Sequence, residues 1–305
     1  MTAQKTQIGV KVPLDWASSK EWLALDCAAT PQAVFSEMGF DYLEFGVGNL
    51  DSDEERERLK RQADHCARAE LGVAFHPYLG GPSRVARFNN GPECRRSVDR
   101  LLRNAQLAAE KAQTRVPLVF HPAEESYDPE QRTPATLRRE LLQTSRHFAA
   151  YLDEQTQKLG PSISVALEHQ VPPHPDENLI RTGDTAKELL AVVRGTDLPL
   201  CWDTGHYLLA MERHGQSPAP PREFLTRVAH VHLHDVVDDR DHRPVSEDSA
   251  QLRRWMEELH QTGFTGRITL EYEPDGVVDG GGPGKVAKES LRLVRKWLKG
   301  ANRPS

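Results

Sequence analysis

The chain has 305 residues, 38% of them hydrophobic and 28% charged. This is an ordinary globular composition, long enough to bury a large core without a metal or disulfide to hold it together. The net charge of −6 and a pI of about 6.1 argue against a nucleic-acid partner, whose affinity would rest on clustered Lys and Arg. No apolar run approaches the length of a membrane span, and MTAQKTQIGVKV lacks the apolar centre of a signal peptide. The four cysteines, Cys27, Cys66, Cys94 and Cys201, are scattered with no C-x-x-C pair. That predicts a reducing, cytoplasmic setting and excludes a disulfide framework or a thiolate zinc site.

In chain order, runs rich in Val, Ile, Leu and Phe predict strands at 8–12, 41–47, 72–76, 116–121, 162–169, 198–203, 227–234 and 267–273. Amphipathic patterns between them predict helices at 54–71, 94–112, 136–159 and 186–193, with the last two near 249–261 and 285–299. Strand followed by helix, about eight times, implies a parallel sheet closed into a (β/α)8 TIM barrel. The segment VPLDWASSKEW after the first strand has no glycine fingerprint, which argues against an open dinucleotide-binding sheet. No linker divides the chain, so residues 1–305 are expected to form a single barrel domain. Three long connections, 77–93, 170–184 and 277–285, follow the C-terminal ends of strands, the face that carries active sites in this architecture.

Buried parallel strands should be nearly all apolar, yet here they end in groups that are costly to bury unpaired. The ends carry Glu44, His76, His121, Glu168 with His169, Asp203 followed by His206, the ladder His230, His232 and His234, and Glu271 with Glu273. In a closed barrel these ends meet around one axis. A divalent cation there would relieve the mutual repulsion of Glu168, Asp203 and Glu271. The predicted ligand set is therefore Glu168, Asp203, His232 and Glu271. Three carboxylates and one imidazole suit Mn²⁺ best, with Mg²⁺, Co²⁺, Fe²⁺ or Zn²⁺ as alternatives. Alternation along AHVHLHDV puts three histidines on one strand face. His230 then lies lowest and needs a partner inside the barrel, His232 stands at ligand height, and His234 stands at the rim, facing substrate. His169, and His147 and His260 on helices, are read as hydrogen-bonded structural groups.

The segments ALEHQ (166–170), CWDTGH (201–206), HVHLHD (230–235) and ITLEYE (268–273) resemble the four signature segments of the xylose isomerase-like TIM barrels, the sugar isomerase and epimerase superfamily. The resemblance runs over most of the chain. It implies one divalent metal held by Glu168, Asp203, His232 and Glu271, and substrate contacts from His206, His76 and His121. It also implies a contact from Arg240 or Arg243 after the seventh strand; Glu44 is added as a further substrate contact. Members often form dimers or tetramers, so a homodimer or homotetramer is expected. The chain departs from the family at His169, where Asn is common, and at His234, where Lys, Asn or Ser is common.

The chemistry this predicts is proton transfer at a carbon between carbonyl and hydroxyl oxygens, through an enediolate, with Glu168 and Glu271 as paired base and acid. The leading reading is an isomerase or epimerase of a small sugar, ketose or cyclitol. A lyase is the alternative: a dehydratase of an inosose or 3-dehydroshikimate, or a β-eliminating enzyme on a 3-keto glycoside, with His234 or the His76/His121 pair protonating the leaving group. A phosphodiesterase of the endonuclease IV type stands third. It needs a three-metal cluster and an Asp-x-His pair after the seventh strand. DDRDHRPV offers His242 with Arg240 two residues before it, and Asp239 and Asp241 off that spacing. A barrel serving only as a scaffold would leave the whole ligand set idle. No glycine loop that cradles phosphate is evident, and Arg84, Arg87, Arg95 and Arg96 are read as solvated.

Overall fold

In the computed structural model, residues 5–13, 31–48, 50–77, 91–112, 114–272 and 283–300 are described. The branched and aromatic runs become eight strands: β1 (Gln7–Pro13), β2 (Tyr42–Val47), β3 (Gly72–Pro77), β4 (Val116–Phe120), β5 (Ile163–Glu168), β6 (Leu200–Asp203), β7 (Val228–Leu233) and β8 (Arg267–Leu270). Every neighbouring pair is parallel, and β8 closes on β1 from Gln7↔Arg267 to Val10↔Leu270. The expected closed (β/α)8 barrel is what forms.

Helices α1 (Pro31–Met38), α2 (Asp53–Arg68), α3 (Pro92–Ala112), α4 (Pro134–Leu159), α5 (Ala186–Val192), α6 (Thr204–His214), α7 (Arg222–Arg227), α8 (Ala250–Gln261) and α9 (Pro283–Gly300) follow the strands. Helix α2 starts at a capping box in which the Ser52 hydroxyl accepts from the Glu55 N–H, while Glu55 accepts from the Ser52 N–H. Leu59, Ala63 and Cys66 form its buried stripe. Helices α1, α6 and α7 escape the sequence reading because they are short or directly abut a strand. None of the described helices is long and apolar enough to cross a membrane.

Inside the barrel, small side chains make room for large ones. Val119, Ala166 and Cys201 form a buried interior cluster. Above Gly9 lies the Tyr42 ring, 2.5 Å from where a Cβ would stand. Tyr42 fills the space Gly9 leaves and its hydroxyl bonds Thr269 Oγ1 at 2.8 Å. The outward residues pack the helices; Trp202 on β6 lies against Tyr207, Phe224 and Trp255 from three helices.

Strand β8 ends at Leu270, so Glu271 lies just past it, and Glu273 lies outside the described residues. So do Cys27, Arg84, Arg87 and most of the connections 77–93 and 277–285. The connection 170–184 is described. Leu179–Arg181 pairs antiparallel with Glu124–Ser126, and Arg138 of α4 holds Asp184 and Glu188 beside it. A second ribbon, Asp235–Val237 with Arg240–Arg243, follows β7.

Candidate metal centre

Sheet register sets the site. Asp203 pairs with His232 across β6 and β7, and His232 pairs with Thr269 across β7 and β8. Glu168 pairs with Cys201, two residues below Asp203 on β6. Each of Glu168, Asp203, His232 and Glu271 thus brings one ligand atom within 4.8 Å of all the others. All four are buried, with Glu271 the most accessible at 3%.

His232 is the hub. Its Nδ1 lies 2.9 Å from Glu168 Oε1, 2.8 Å from Glu271 Oε2 and 4.0 Å from Asp203 Oδ2. Its Nε2 lies 2.8 Å from Glu44 Oε1. Glu168 Oε2 and Glu271 Oε2 are buried and meet imidazole nitrogens at 2.8–3.2 Å without a well-directed hydrogen bond among the described residues. Imidazoles answer only part of the charge gathered on these buried carboxylates, and a divalent cation among the four residues would answer more of it. The donor set therefore fits a metal.

Burial works against charge here, but the neighbours overrule it. Burial raises the Glu168 carboxyl, yet the rings of His232, His76 and His121 hold it well below the usual range. Burial likewise raises Glu271, and Lys11 and His232 bring it well below. Burial lowers His232, while the carboxylates around it lift it well above its ordinary value.

The other predicted residues fall into three groups. His76 Nε2 and His121 Nε2 lie 3.2 and 2.9 Å from Glu168 Oε2 and 3.2 Å from each other, a second cluster sharing Glu168. His206 donates from Nδ1 to the His169 carbonyl at 2.8 Å, and its Nε2 lies 3.8 Å from Asp241 Oδ2. Arg240 and Arg243 lie on the ribbon after β7, Arg243 opposite Asp235.

Two expected rim residues sit elsewhere. Glu44 is fully buried beneath the ligand group, with Oε2 2.8 Å from His230 Nε2 and accepting from Thr269 Oγ1 at 2.8 Å. It pairs directly with Lys11 in the β1–β2 register, with its carboxylate turned into the barrel. His234 is also fully buried; its ring turns toward Asp203 because Gly205 leaves it room. His230 finds its partner inside the barrel in Glu44 and Thr269. His169 does not match the expectation of a hydrogen-bonded group: neither ring nitrogen has a partner among the described residues. It packs against Tyr207 and Phe224, and burial pulls it down to about 4.

Three residues near the centre were not among the site residues expected from the sequence. Lys11 on β1 pairs with Glu271 Oε1. His242 Nε2 lies 3.2 Å from the same oxygen, and His242 Nδ1 3.1 Å from Asp241 Oδ1. Burial lowers His242, but these two carboxylates push it up to about 10. A charged residue at an inward position of the apolar run IGVKV was the readable signal for Lys11. Asp241 and His242 were legible only as a broken motif. The ribbon reaches the site through left-handed backbone at Asp238, Asp239 and His242, which no residue spacing announces.

The family model described as a xylose isomerase-like TIM barrel matches residues 33–297. The chain belongs to this family. Among solved structures, this xylose isomerase-like barrel is similar to the 3-keto-D-glucoside 4-epimerase YcjR of E. coli, with a TM-score of 0.61 and 15% identity over 96% of this chain and 100% of that one. It is similar to the D-psicose 3-epimerase of Clostridium cellulolyticum H10, with a TM-score of 0.63 and 14% identity over 96% and 99%. It is also similar to SacUVDE, with a TM-score of 0.55 and 10% identity over 98% and 100%. At these identities the likeness is one of fold. No curated protein matches the sequence.

Proposed function

We propose that this xylose isomerase-like barrel is a divalent-metal-dependent isomerase or epimerase of a small sugar, ketose or cyclitol. The carrying observation is the convergence of Glu168, Asp203, His232 and Glu271 on one buried point, each with a ligand atom within 4.8 Å of the others. Epimerases among its structural neighbours support the choice of substrate class. Mn²⁺ suits the oxygen-rich donor set best.

A divalent ion held by these four residues supplies Lewis acidity to adjacent carbonyl and hydroxyl oxygens of a substrate. Glu168 and Glu271 come from strands separated by two others, so they approach from different directions. Both are ionised at rest; one takes the proton from the carbon between those oxygens, and the other, after taking up a proton from solvent, returns it. Return to the neighbouring carbon gives isomerisation, and return from the opposite face gives epimerisation. Lys11 and His242 flank Glu271 Oε1 and keep that carboxylate charged and fixed.

The test is Mn²⁺-dependent exchange of solvent deuterium into a panel of ketoses and keto-cyclitols, in wild type and Glu168→Gln. Exchange that falls at least about 100-fold in the variant is expected. No exchange with any substrate, or undiminished exchange in Glu168→Gln, contradicts the reading. Appearance of an enone absorbance in the same assay assigns the lyase alternative instead.

One observation favours a second reading, a multi-ion phosphoester hydrolase. His76, His121 and Glu168 form one potential ligand group, and Asp203, His206, His234 and His242 form another, each sharing a residue with the central set. Two or three bound ions per chain with cleavage of a phosphodiester would favour it; a single ion per chain counts against it.

A further inference from the structure

The junction of β6 and α6 reads Asp203-Thr204-Gly205, and all three residues engage His234. The Asp203 carboxylate caps α6 by accepting from the His206 N–H at 2.8 Å. Its other oxygen lies 3.0 Å from His234 Nε2. The Thr204 hydroxyl lies 3.0 Å from the His234 carbonyl and accepts from the His234 N–H at 3.3 Å. A Cβ at Gly205 would stand 2.0 Å from His234 Cε1, so this position is open only because it is glycine. The socket is built for one ring.

The ring's tautomer follows from its second nitrogen. The backbone N–H of His242 reaches His234 Nδ1 at 2.8 Å. A backbone N–H can only donate, and it lies closer to Nδ1 than the Asp235 carbonyl does at 3.3 Å, so the shorter contact assigns Nδ1 the lone pair. The proton of the neutral imidazole then sits on Nε2, aimed at Asp203. His242 also stacks on the ring, with centroids 4.3 Å apart and planes 15° from parallel. His234 therefore cannot turn to offer Nε2 as a bare donor to an ion without breaking both contacts.

We propose that His234 is a positioning residue for Asp203. Its Nε2–H and the His206 N–H hold the carboxylate in one orientation, and the His242 backbone holds His234 in the one tautomer that can do so. The inference rests on the reading of Asp203 as a metal ligand and deepens it. Hydrogen bonds of this kind to a ligating carboxylate are commonly worth on the order of 10–100-fold in metal affinity. His234 replaces the rim role expected from the sequence: it acts through Asp203 and not on substrate.

The experiment titrates the purified metal-free chain with Mn²⁺ alone, in wild type, His234→Ala and His234→Gln, counting ions and measuring affinity. His234→Ala is expected to bind the same number of ions about 10–100-fold more weakly. His234→Gln, whose side-chain amide N–H can replace Nε2–H, is expected to recover most of that loss, which a purely structural role would not predict. Unchanged affinity in His234→Ala, no rescue by Gln, or loss of one whole ion equivalent overturns the proposal; the last would make His234 a ligand. Nitrogen-15 histidine NMR on the wild type needs no variant and expects the proton on Nε2; a proton on Nδ1 overturns the proposal even if His234→Ala fails to fold. If the wild type binds no divalent ion, the metal reading falls and the ligand role of Asp203 with it, while the NMR result still reports whether His234 is locked onto that carboxylate.

Discussion

Lys11 shows how much one inward side chain can carry. Its ammonium pairs with Glu271 inside the barrel mouth, 11% exposed against 5% for its partner. Removing one member of a buried pair leaves the other charge uncompensated and costs about 3–5 kcal/mol. Lys11→Met is therefore expected to lower the stability of the metal-free protein by about that much in urea denaturation; a change under about 1 kcal/mol would show that Glu271 does not depend on it. The pH dependence has a definite sign. Burial lowers Lys11, but Glu271 raises it above its ordinary 10.5. A cation raised on folding stabilises fully below its unfolded value and loses that contribution as pH rises through the folded value. The stability gap between wild type and Lys11→Met should therefore be full below pH 10.5 and narrow as the pH rises above it. The same residue marks what the sequence hid. The ligand candidates stood out as carboxylates and imidazoles at strand ends, whereas Lys11 sat mid-strand where only its inward register gives it a partner across the barrel.

At the scale of elements, the strands were legible because their signal is local: apolar runs of four to eight residues bounded by helical patterns. The two ribbons and the direct β6–α6 junction were not, because they depend on distant partners. Leu179–Arg181 becomes a strand only by pairing with Glu124–Ser126, more than fifty residues earlier. The connection that carries it lies on the face where active sites form, and Arg138 ties its end to α4 and α5 through Asp184 and Glu188. The His242 ribbon reaches the centre through three non-glycine residues in left-handed backbone. Strain of this sort clusters at functional sites and persists where the surroundings enforce it. Gly9 supplies a test of how β1 and β2 pack. A methyl group there meets the Tyr42 ring at 2.5–2.6 Å. Gly9→Ala should cost about 1–3 kcal/mol by overpacking, read in urea, and a neutral result would mean the ring can withdraw from the barrel interior without loss.

For the molecule as a whole, strand–helix alternation fixes the barrel, and the barrel fixes the meeting point of residues 100 positions apart. Glu168 and Glu271 become neighbours only because β8 closes on β1. The centre buries Glu44, Glu168, Asp203 and Glu271 together. Lys11 and the imidazoles answer that charge in the metal-free chain, and a divalent ion would answer it more fully. An ion that binds only the folded state stabilises it by about 2.7 kcal/mol at a concentration 100 times its Kd. Mn²⁺ should therefore raise the unfolding midpoint of wild type and leave Asp203→Asn nearly unmoved; equal shifts in both would point to binding elsewhere on the surface. The reaction type depends on loops, several of which lie outside the described residues. That is why the candidate ligand set stood out in the sequence while the substrate did not.

The most direct measurement is a Mn²⁺ titration of the metal-free chain, counting ions per chain by native mass spectrometry, in wild type, Glu168→Gln, Asp203→Asn, His232→Ala and Glu271→Gln, with circular dichroism confirming the fold of each. One ion per wild-type chain, weakened by at least about tenfold in every folded variant, is the predicted result. A folded wild type that binds no divalent ion, or binding that survives undiminished in all four variants, would contradict it.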